Sequence, residues 1–288
     1  MQAHYTHFGV VIACVLAALF FCGLSQFACA ANVVRLDDEA ERYALGRDVA
    51  YLKDEGSIFK LSDVMSEKQK RLFIQTREDV PNFSFTNAVY WFRIEVKNQH
   101  STIRDWLMEV QYPPLDLIDV HIVYGKKKIV SYQGGDTLPF QERAIKHRNH
   151  VFKVALAKEE SATIYLRVKT ESSLQLPLVL WSHAAFLEKD HDEQYWLGLY
   201  YGIIAAMIFY NVMIFLSMRD VSYLYYLYYL LGWGLFQTSL NGLAFEYLWP
   251  QLPRWGNIAT PFFMGCAFSG IMLFGSALSA TTLGMSIL

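Results

Sequence analysis

Residues 90–97, with the sequence YWFRIEVK, alternate with a period of two. The even-numbered positions are all apolar, and the odd-numbered positions carry Trp91 followed by three charged residues. Side chains of a strand point alternately to its two faces, so this alternation predicts a strand with one buried face. Residues 163–169, TIYLRVK, show the same pattern and predict a second strand.

Further short strands are predicted throughout residues 31–187. The candidates are residues 106–110, 117–124, 151–156 and 176–180, and turn residues such as Pro113-Pro114 and Gly134-Gly135-Asp136 separate them. A short helix is expected within residues 62–72. Strands that recur this often without long helices predict an all-β domain, either a jelly roll or a β-sandwich.

The C-terminal third of the chain is nearly free of charge. The charged residues after Gln194 are Arg219, Asp220, Glu246 and Arg254. The surface of a soluble domain carries many more charges than this. Three uncharged runs are long enough to cross a bilayer, at residues 195–218, 221–244 and 258–280, and residues 281–288 form a tail. These runs predict an α-helical transmembrane domain after the β domain.

The N-terminal segment predicts export. Residues 8–21 form an apolar run, and Ala28-Cys29-Ala30 has the small-x-small pattern of a cleavage site. We therefore expect residues 1–30 to be a signal peptide, residues 31–187 to lie in the periplasm, and the helices to lie in a bacterial inner membrane. An uncleaved membrane anchor is the alternative, because His4 and His7 precede the apolar run but no Lys or Arg does.

The composition argues against several classes of function. The net charge is -2 and acids and bases are interspersed, so we expect no nucleic-acid partner. The four cysteines lie outside residues 32–187, which excludes a disulfide or a cysteine zinc site in the β domain. His147 and His150 have Lys and Arg neighbours that repel a cation, so no metal is expected there. No catalytic constellation or nucleotide motif stands out, and we expect neither enzyme activity nor a cofactor.

A candidate ligand site lies on the polar face of the strand at residues 90–97. Trp91 and Arg93 share that face. An aromatic ring can stack on the C–H face of a sugar, and a guanidinium can donate hydrogen bonds to hydroxyls or carboxylates. Tyr165 and Arg167 repeat the arrangement. The alternative is a structural pair in which the arginine packs over the ring.

The first predicted span carries small residues at helical spacing. Gly198, Gly202 and Ala206 lie four residues apart, and such a stripe allows helices to approach closely in lipid. The oligomeric state stays open, a homodimer included.

Several segments are similar to one family of bacterial receptors. They are FTNAVYWFR at 85–93, LDLIDV at 115–120, Gly134-Gly135 followed by Arg143, RDVSYL at 219–224, and Gly242 followed by YLWP at 247–250. In this order they resemble the bacterial seven-transmembrane receptors with diverse intracellular signalling modules, in the form with the type 2 extracellular domain. The resemblance adds Arg143 to the candidate ligand-binding residues.

The resemblance implies a jelly-roll domain similar to carbohydrate-binding modules, seven helices and a histidine kinase or diguanylate cyclase output. The chain stops at Leu288 after three predicted spans, so we expect a truncated receptor that lacks its output domain. The predicted function is to sense a small carbohydrate-like ligand or glycan and to relay its state through the membrane helices. The alternative is an envelope carbohydrate-binding or adhesion protein on a membrane anchor without signalling.

Overall fold

The computed structural model describes residues 33–100, 104–125 and 128–285. The predicted signal peptide and the last residues of the predicted tail lie outside them. Residues 33–182 form a β domain, and helices follow. The strands are β1 Val33–Leu36, β2 Arg42–Ala44, β3 Ala50–Asp54, β4 Ile74–Gln75, β5 Asn82–Phe85, β6 Val89–Asn98, β7 Arg104–Val110, β8 Leu117–Tyr124, β9 Lys128–Gly134, β10 His150–Leu156, β11 Ser161–Lys169, β12 Ser173–Gln175 and β13 Leu178–Ser182. The helices are α1 Leu61–Val64, α2 Glu67–Lys70, α3 His183–Met218, α4 Val221–Leu240, α5 Leu243–Tyr247 and α6 Pro253–Met285.

The larger sheet has the strand order β4-β3-β6-β11-β8-β9, and β1 pairs in parallel with β6. The central strand β6 has the inward face that its alternation predicts. Phe92, Ile94 and Val96 are at most 1% exposed. Burying such side chains contributes about 1.5–3 kcal/mol each, which makes this strand a principal part of the core.

The smaller sheet has the strand order β10-β7-β13-β2, and all of its pairs are antiparallel. Its inward side chains, such as Trp106, Met108 and Phe152, join those of the larger sheet in one core. Two sheets that share one core form an open sandwich. The predicted class, an all-β domain followed by helices, is therefore confirmed.

Two helices are long and apolar enough to cross a membrane by length and composition, namely α3 and residues 253–279 of α6. Helix α3 begins directly after β13, where the Ser182 hydroxyl accepts a hydrogen bond from the amide of Ala185 at 3.2 Å. It therefore starts at His183, within the predicted bounds of the β domain and well before residue 195, where the first span was predicted to begin. The tyrosine-rich α4 is shorter and is not one of these two helices, so the count of three crossings stays a prediction.

Candidate functional site

Four of the five predicted ligand-binding residues lie together on the outer face of the larger sheet. Arg93 on β6 faces Tyr165 on β11, and Trp91 faces Arg167. This face is not open around the aromatic rings, since Trp91 is 1% exposed and Tyr165 is 2% exposed. The expectation of an accessible stacking ring at Trp91 or Tyr165 is therefore wrong.

Residues 59–73, which include α1 and α2, cover this face. Their side chains Leu61, Met65 and Phe73 pack on a buried cluster that contains Trp91. The face that was expected to be polar thus holds a second small core, separate from the sandwich core.

The two arginines of this face have acidic partners. Arg93 Nη2 lies 3.3 Å from Glu95 Oε1, and its guanidinium lies 5.4 Å from the centroid of the Phe73 ring. Arg167 Nη1 lies 3.2 Å from Asp119 Oδ2. These contacts favour the structural alternative for both arginines.

Arg143 lies elsewhere, in the loop that follows β9. Its guanidinium lies between the rings of Phe140 and Phe245, at 5.0 and 5.3 Å from their centroids. Nη1 donates to the carbonyls of His147 and Arg148 at 2.7 and 2.9 Å. Nε is buried and has no hydrogen-bond partner among the described residues. Because Phe245 belongs to α5, Arg143 links the β domain to the helical part.

A cavity of about 310 Å³ opens beside Arg143, between loops of the β domain and the nearest ends of the helices. Its lining combines aromatic and aliphatic surface with a few polar groups, which is the usual composition of a small-molecule site. Lining residues include Tyr112, Pro113, Asp136, Arg143, Ser173, Leu240, Phe245, Trp249, Asn257 and Met264. We call it the interdomain cavity.

Asp136 is the second charged group of the interdomain cavity. Its Oδ1 is buried and has no hydrogen-bond partner in the part of the chain that the structure describes. Burial, together with the charge of nearby Asp116, raises the pKa of Asp136 to about 7 against the opposing effect of Arg143. Burial also lowers the pKa of Arg143 to about 10. Asp136 and Arg143 thus each have a buried polar atom without a hydrogen-bond partner. Such an atom destabilises the folded state unless another group forms a hydrogen bond with it.

Asp116 connects the loop that carries Asp136 to α6. Its Oδ1 accepts from Asn257 Nδ2 at 2.9 Å, and its Oδ2 accepts from Thr170 Oγ1 at 2.8 Å. Gly135 has a φ of +124°, and a Cβ at this position would collide with the Asp116 carbonyl. Only glycine adopts this positive φ without strain and also leaves room for the Asp116 carbonyl. The Gly-Gly-Asp motif therefore serves to bring Asp136 next to Asp116.

Gly242 brings the segment between α4 and α5 against the β domain. Its φ is +78°, and a Cβ there would lie 2.8 Å from the Arg148 carbonyl oxygen and 3.0 Å from Pro113 Cβ. Nearby, the amide of Phe140 donates to the Pro250 carbonyl at 3.0 Å. The β domain and the loops between the helices are therefore docked directly on each other.

A second polar cluster joins the smaller sheet to the start of α3. Glu109 on β7 is fully buried and accepts from Asn149 Nδ2 at 2.7 Å, Trp181 Nε1 at 2.9 Å and Lys189 Nζ at 2.6 Å. Burial acts to raise the pKa of Glu109. The charge and hydrogen bond of Lys189, with donors from Asn149 and Gln111, outweigh burial and hold this pKa below its usual value.

The first turns of α3 make further ion pairs with the β domain. Lys189 Nζ also lies 2.8 Å from Glu193 Oε2, and Glu193 pairs with Arg148. His147 Nε2 lies 3.0 Å from Asp190 Oδ1. The sheet is thus attached to the same helix that continues into the apolar segment.

The stripe of small residues on α3 is exposed within this chain. A Cβ added at Gly198 or Gly202 would meet no described atom within 4 Å, and Ala206 is exposed as well. Close helix approach occurs between α4 and α6 instead. A Cβ at Gly232 would lie 2.9 Å from the backbone of α6, and one at Gly270 would lie 2.8 Å from that of α4. Packing of the α3 stripe against another helix stays a prediction.

The two histidines near Arg143 take part in loop packing. His147 Nδ1 accepts from the amide of Asn149 at 3.0 Å, and His150 Nε2 lies 3.1 Å from the Pro113 carbonyl oxygen. Burial, with the charge of Arg143, lowers the pKa of His150 to about 3. Among the described residues, no group of three or more His, Cys, Asp or Glu side chains could hold a metal ion.

Two family models match the chain. The model for 7TMR-DISM extracellular 2 matches residues 46–182, and the model for 7TM diverse intracellular signalling matches residues 193–284. With the sandwich and the two candidate membrane helices, these matches define a membrane-located sensory receptor. The chain belongs to the 7TMR-DISM family, as its sequence motifs indicate.

Solved structures share only a local likeness with the chain. A Cry1Da tryptic core variant from Bacillus thuringiensis matches with a TM-score of 0.24 and 5% identity over 36% of this chain and 20% of that chain. An exo-β-1,3-galactanase from Phanerochaete chrysosporium with galactose matches with a TM-score of 0.20 and 9% identity, over 39% and 31%. CsCBM6-3 from Clostridium stercorarium in complex with cellobiose matches with a TM-score of 0.18 and 8% identity, over 36% and 81%. The chain thus spans less than a third of the first two, and these scores carry no functional argument. No curated protein sequence matches the chain.

Proposed function

We propose that this chain is the input part of a bacterial inner-membrane receptor. Its β domain lies in the periplasm, senses a small ligand and passes its state to the membrane helices. The observation that carries this proposal is the buried ion pair between Glu109 and Lys189, which joins the sheet to the helix that continues into the apolar segment. Membership of a sensory family supports a receptor role rather than a catalytic one.

Helix α3 is suited to carry a displacement. It is one helix of 36 residues from His183 to Met218, which at about 1.5 Å per residue extends about 54 Å. Leaving one member of a buried ion pair without its partner costs about 3–5 kcal/mol. A movement of the smaller sheet therefore takes the first turns of α3 with it, because separation at Glu109 and Lys189 is the more costly outcome.

The loops around Gly242 supply a second connection. They place the β domain against the ends of α4, α5 and α6, so a change in the domain also reaches helices other than α3. A ligand can drive such a change only if it binds two arrangements of the protein with different affinities.

The relay can be tested by amide hydrogen exchange on the full chain in lipid nanodiscs. Glu109→Gln removes the charge and keeps the size of the side chain. We expect faster exchange in the first turns of α3 and altered exchange in α4 and α6. The matched control is Glu95→Gln, which removes a partly exposed partner of Arg93 on the other sheet and should leave the helices unchanged.

A response confined to β7 and its neighbours would contradict the relay. It would favour the alternative, in which the β domain is an envelope binding module and the helices are a passive anchor.

A further inference from the structure

We propose that the interdomain cavity opens sideways into the periplasmic leaflet of the membrane and takes the hydrocarbon chain of a lipid from that leaflet. The inference goes beyond the proposed function and uses only its placement of the β domain in the periplasm and of the helices in the membrane. Three features carry it, namely the depth of the cavity, the exposed apolar surface beside it and the chemistry of its wall.

The pairing of α4 with α6 fixes how deep the cavity lies. A Cβ at Gly232 of α4 would lie 2.9 Å from the amide nitrogen of Ala267 of α6. A Cβ at Gly270, further along α6, would lie 2.8 Å from the Cα of Tyr229, which comes earlier in α4. The two helices therefore run antiparallel, and the last residue of α4 is level with residue 259 of α6. The 20 residues of α4 extend about 30 Å, which is the thickness of the hydrocarbon core of a bilayer.

The lining of the cavity continues past this level toward the centre of the bilayer. Pro261 and Met264 line the cavity and lie two and five residues after residue 259, which is about 3 and 8 Å deeper along α6. Both belong to residues 253–279, the part of α6 that is long and apolar enough to cross a membrane. One end of the cavity therefore lies beside lipid chains, whereas the end at Tyr112 lies among loops of the β domain.

The side of the cavity next to α6 is exposed. Phe85, at the end of β5, is 80% exposed and Met264 is 41% exposed, although both line the cavity. Phe268 and Ile271 follow Met264 by four and seven residues, so they lie on the same face of α6, and they are exposed as well. A continuous apolar strip therefore leads from the cavity along the outside of α6. In a membrane this strip is in contact with lipid chains, which reach the cavity along it.

The wall of the cavity suits hydrocarbon. Phe245 and Trp249 contribute aromatic rings, and Pro113 and Leu240 contribute aliphatic surface. Water is stable in a cavity only where it finds several polar partners, and these side chains offer few. The volume of about 310 Å³ corresponds to about ten water molecules of ~30 Å³ each. It is therefore large enough for a chain segment of one lipid and too small for a protein helix.

Several polar side chains lie where the cavity meets the β domain. Ser172 and Ser173 line it from the start of β12, and Asn257 lies one turn before Pro261 on α6 and donates to Asp116 of the β domain. A lipid whose polar end is near these side chains, and whose chain passes Pro261, has the orientation of the lipids of the periplasmic leaflet. Its chain contacts both the β domain and the helices, so the arrangement of these two parts determines its affinity.

The test uses p-benzoylphenylalanine, a photoreactive residue that forms a covalent bond with nearby C–H groups under near-ultraviolet light. It replaces Tyr112, which lines the cavity, in the full chain in nanodiscs of dioleoyl phosphatidylcholine. Mass spectrometry of the intact protein should show a lipid adduct, whose mass increases when the lipid chains are deuterated. The matched control replaces Tyr51, which lines a cavity of about 270 Å³ formed by the β domain alone, and it should give no adduct.

A second arm of the experiment narrows the cavity. Ser173→Phe adds a ring at its wall and should abolish the adduct at position 112. Ser161→Phe adds the same ring at an exposed position at the start of β11 and should leave the adduct unchanged. Circular dichroism verifies that each variant is folded. If Ser173→Phe is not folded, Met264→Trp narrows the cavity from α6 and takes its place.

Absence of an adduct at position 112, equal adducts at positions 112 and 51, or an adduct that persists in the narrowed cavity would each overturn the proposal. An adduct whose mass does not follow deuteration would also overturn it, because the chain would then belong to a copurified amphiphile and not to a lipid of the leaflet. The exchange experiment with Glu109→Gln involves no cross-link, so failure of lipid binding and failure of the relay are distinguishable.

Discussion

Loss of Lys189 should destabilise the β domain more than loss of Glu109. Lys189→Met keeps most of the hydrocarbon chain but leaves the carboxylate of Glu109 fully buried without its cation. A buried charge left in this way costs about 3–5 kcal/mol. Glu109→Gln still leaves Lys189 at 2.8 Å from Glu193. Glu109→Gln should therefore lower the free energy of unfolding by a smaller amount, about 1–3 kcal/mol, because it only rearranges hydrogen bonds.

The assay is pulse proteolysis of the full chain in nanodiscs across a urea series, which gives the free energy of unfolding of the β domain. The double variant carries neither charge, so it should be less destabilised than the sum of the single variants, with a coupling energy of about 1–3 kcal/mol. The control is Lys53→Met, which removes an exposed ion pair with Glu55 and should leave the urea midpoint unchanged.

The pH dependence has a definite sign. Because the pKa of Glu109 lies below its ordinary value of 4.5, its stabilising contribution is present above that pH and is lost as the pH falls through the native pKa. The free energies of unfolding of wild type and Glu109→Gln should therefore become equal at acidic pH. If Lys189→Met shifts the midpoint no more than Lys53→Met does, or if the two single effects simply add, the coupling assigned to this pair is refuted.

Three further predictions concern the covered face, the cavity and the topology. Trp91→Ala should lower the free energy of unfolding by about 3–5 kcal/mol, because the indole is 1% exposed; an unchanged urea midpoint would contradict its burial. Asp136 has a native pKa of about 7, above its ordinary 3.8, so wild-type stability should fall relative to Asp136→Asn as the pH rises from 3.8 to 7, by up to about 4 kcal/mol; parallel pH profiles would count against this. In a Cys266→Ser background in spheroplasts, Gln251→Cys should react with an impermeant thiol reagent and Asp220→Cys should not, and equal reactivity would exclude the proposed orientation.

The sequence predicted the sandwich and the helices because their signals are local. Alternation at residues 90–97 identifies the inward face of β6, and the charge gap after Gln194 identifies apolar helices. The covering of Trp91 could not be predicted in the same way. Alternation describes a single strand, and it contains no information on whether residues 59–73 cross back over the sheet.

The interdomain cavity and the Glu109 cluster depend on residues far apart in the chain. Arg143 entered the sequence analysis only through the family resemblance, and its partner Phe245 lies in a helix beyond the first apolar run. A signal for Glu109 did exist. A lone acid in the apolar strand at 106–110, together with a charged segment at 188–193 just before an apolar helix, indicates a buried pair, but only the fold brings the two together.

The docking of the β domain on the ends of the helices is the central claim. Asp116→Cys with Asn257→Cys, in a Cys266→Ser background, replaces a hydrogen bond of 2.9 Å between the two parts. Mild oxidation in native membranes should join these cysteines within one chain, seen as a gel shift that a reductant reverses. The cross-strand pair Asp119→Cys with Arg167→Cys is the positive control. A control pair that oxidises while the pair at 116 and 257 does not would contradict the docking and the relay that depends on it.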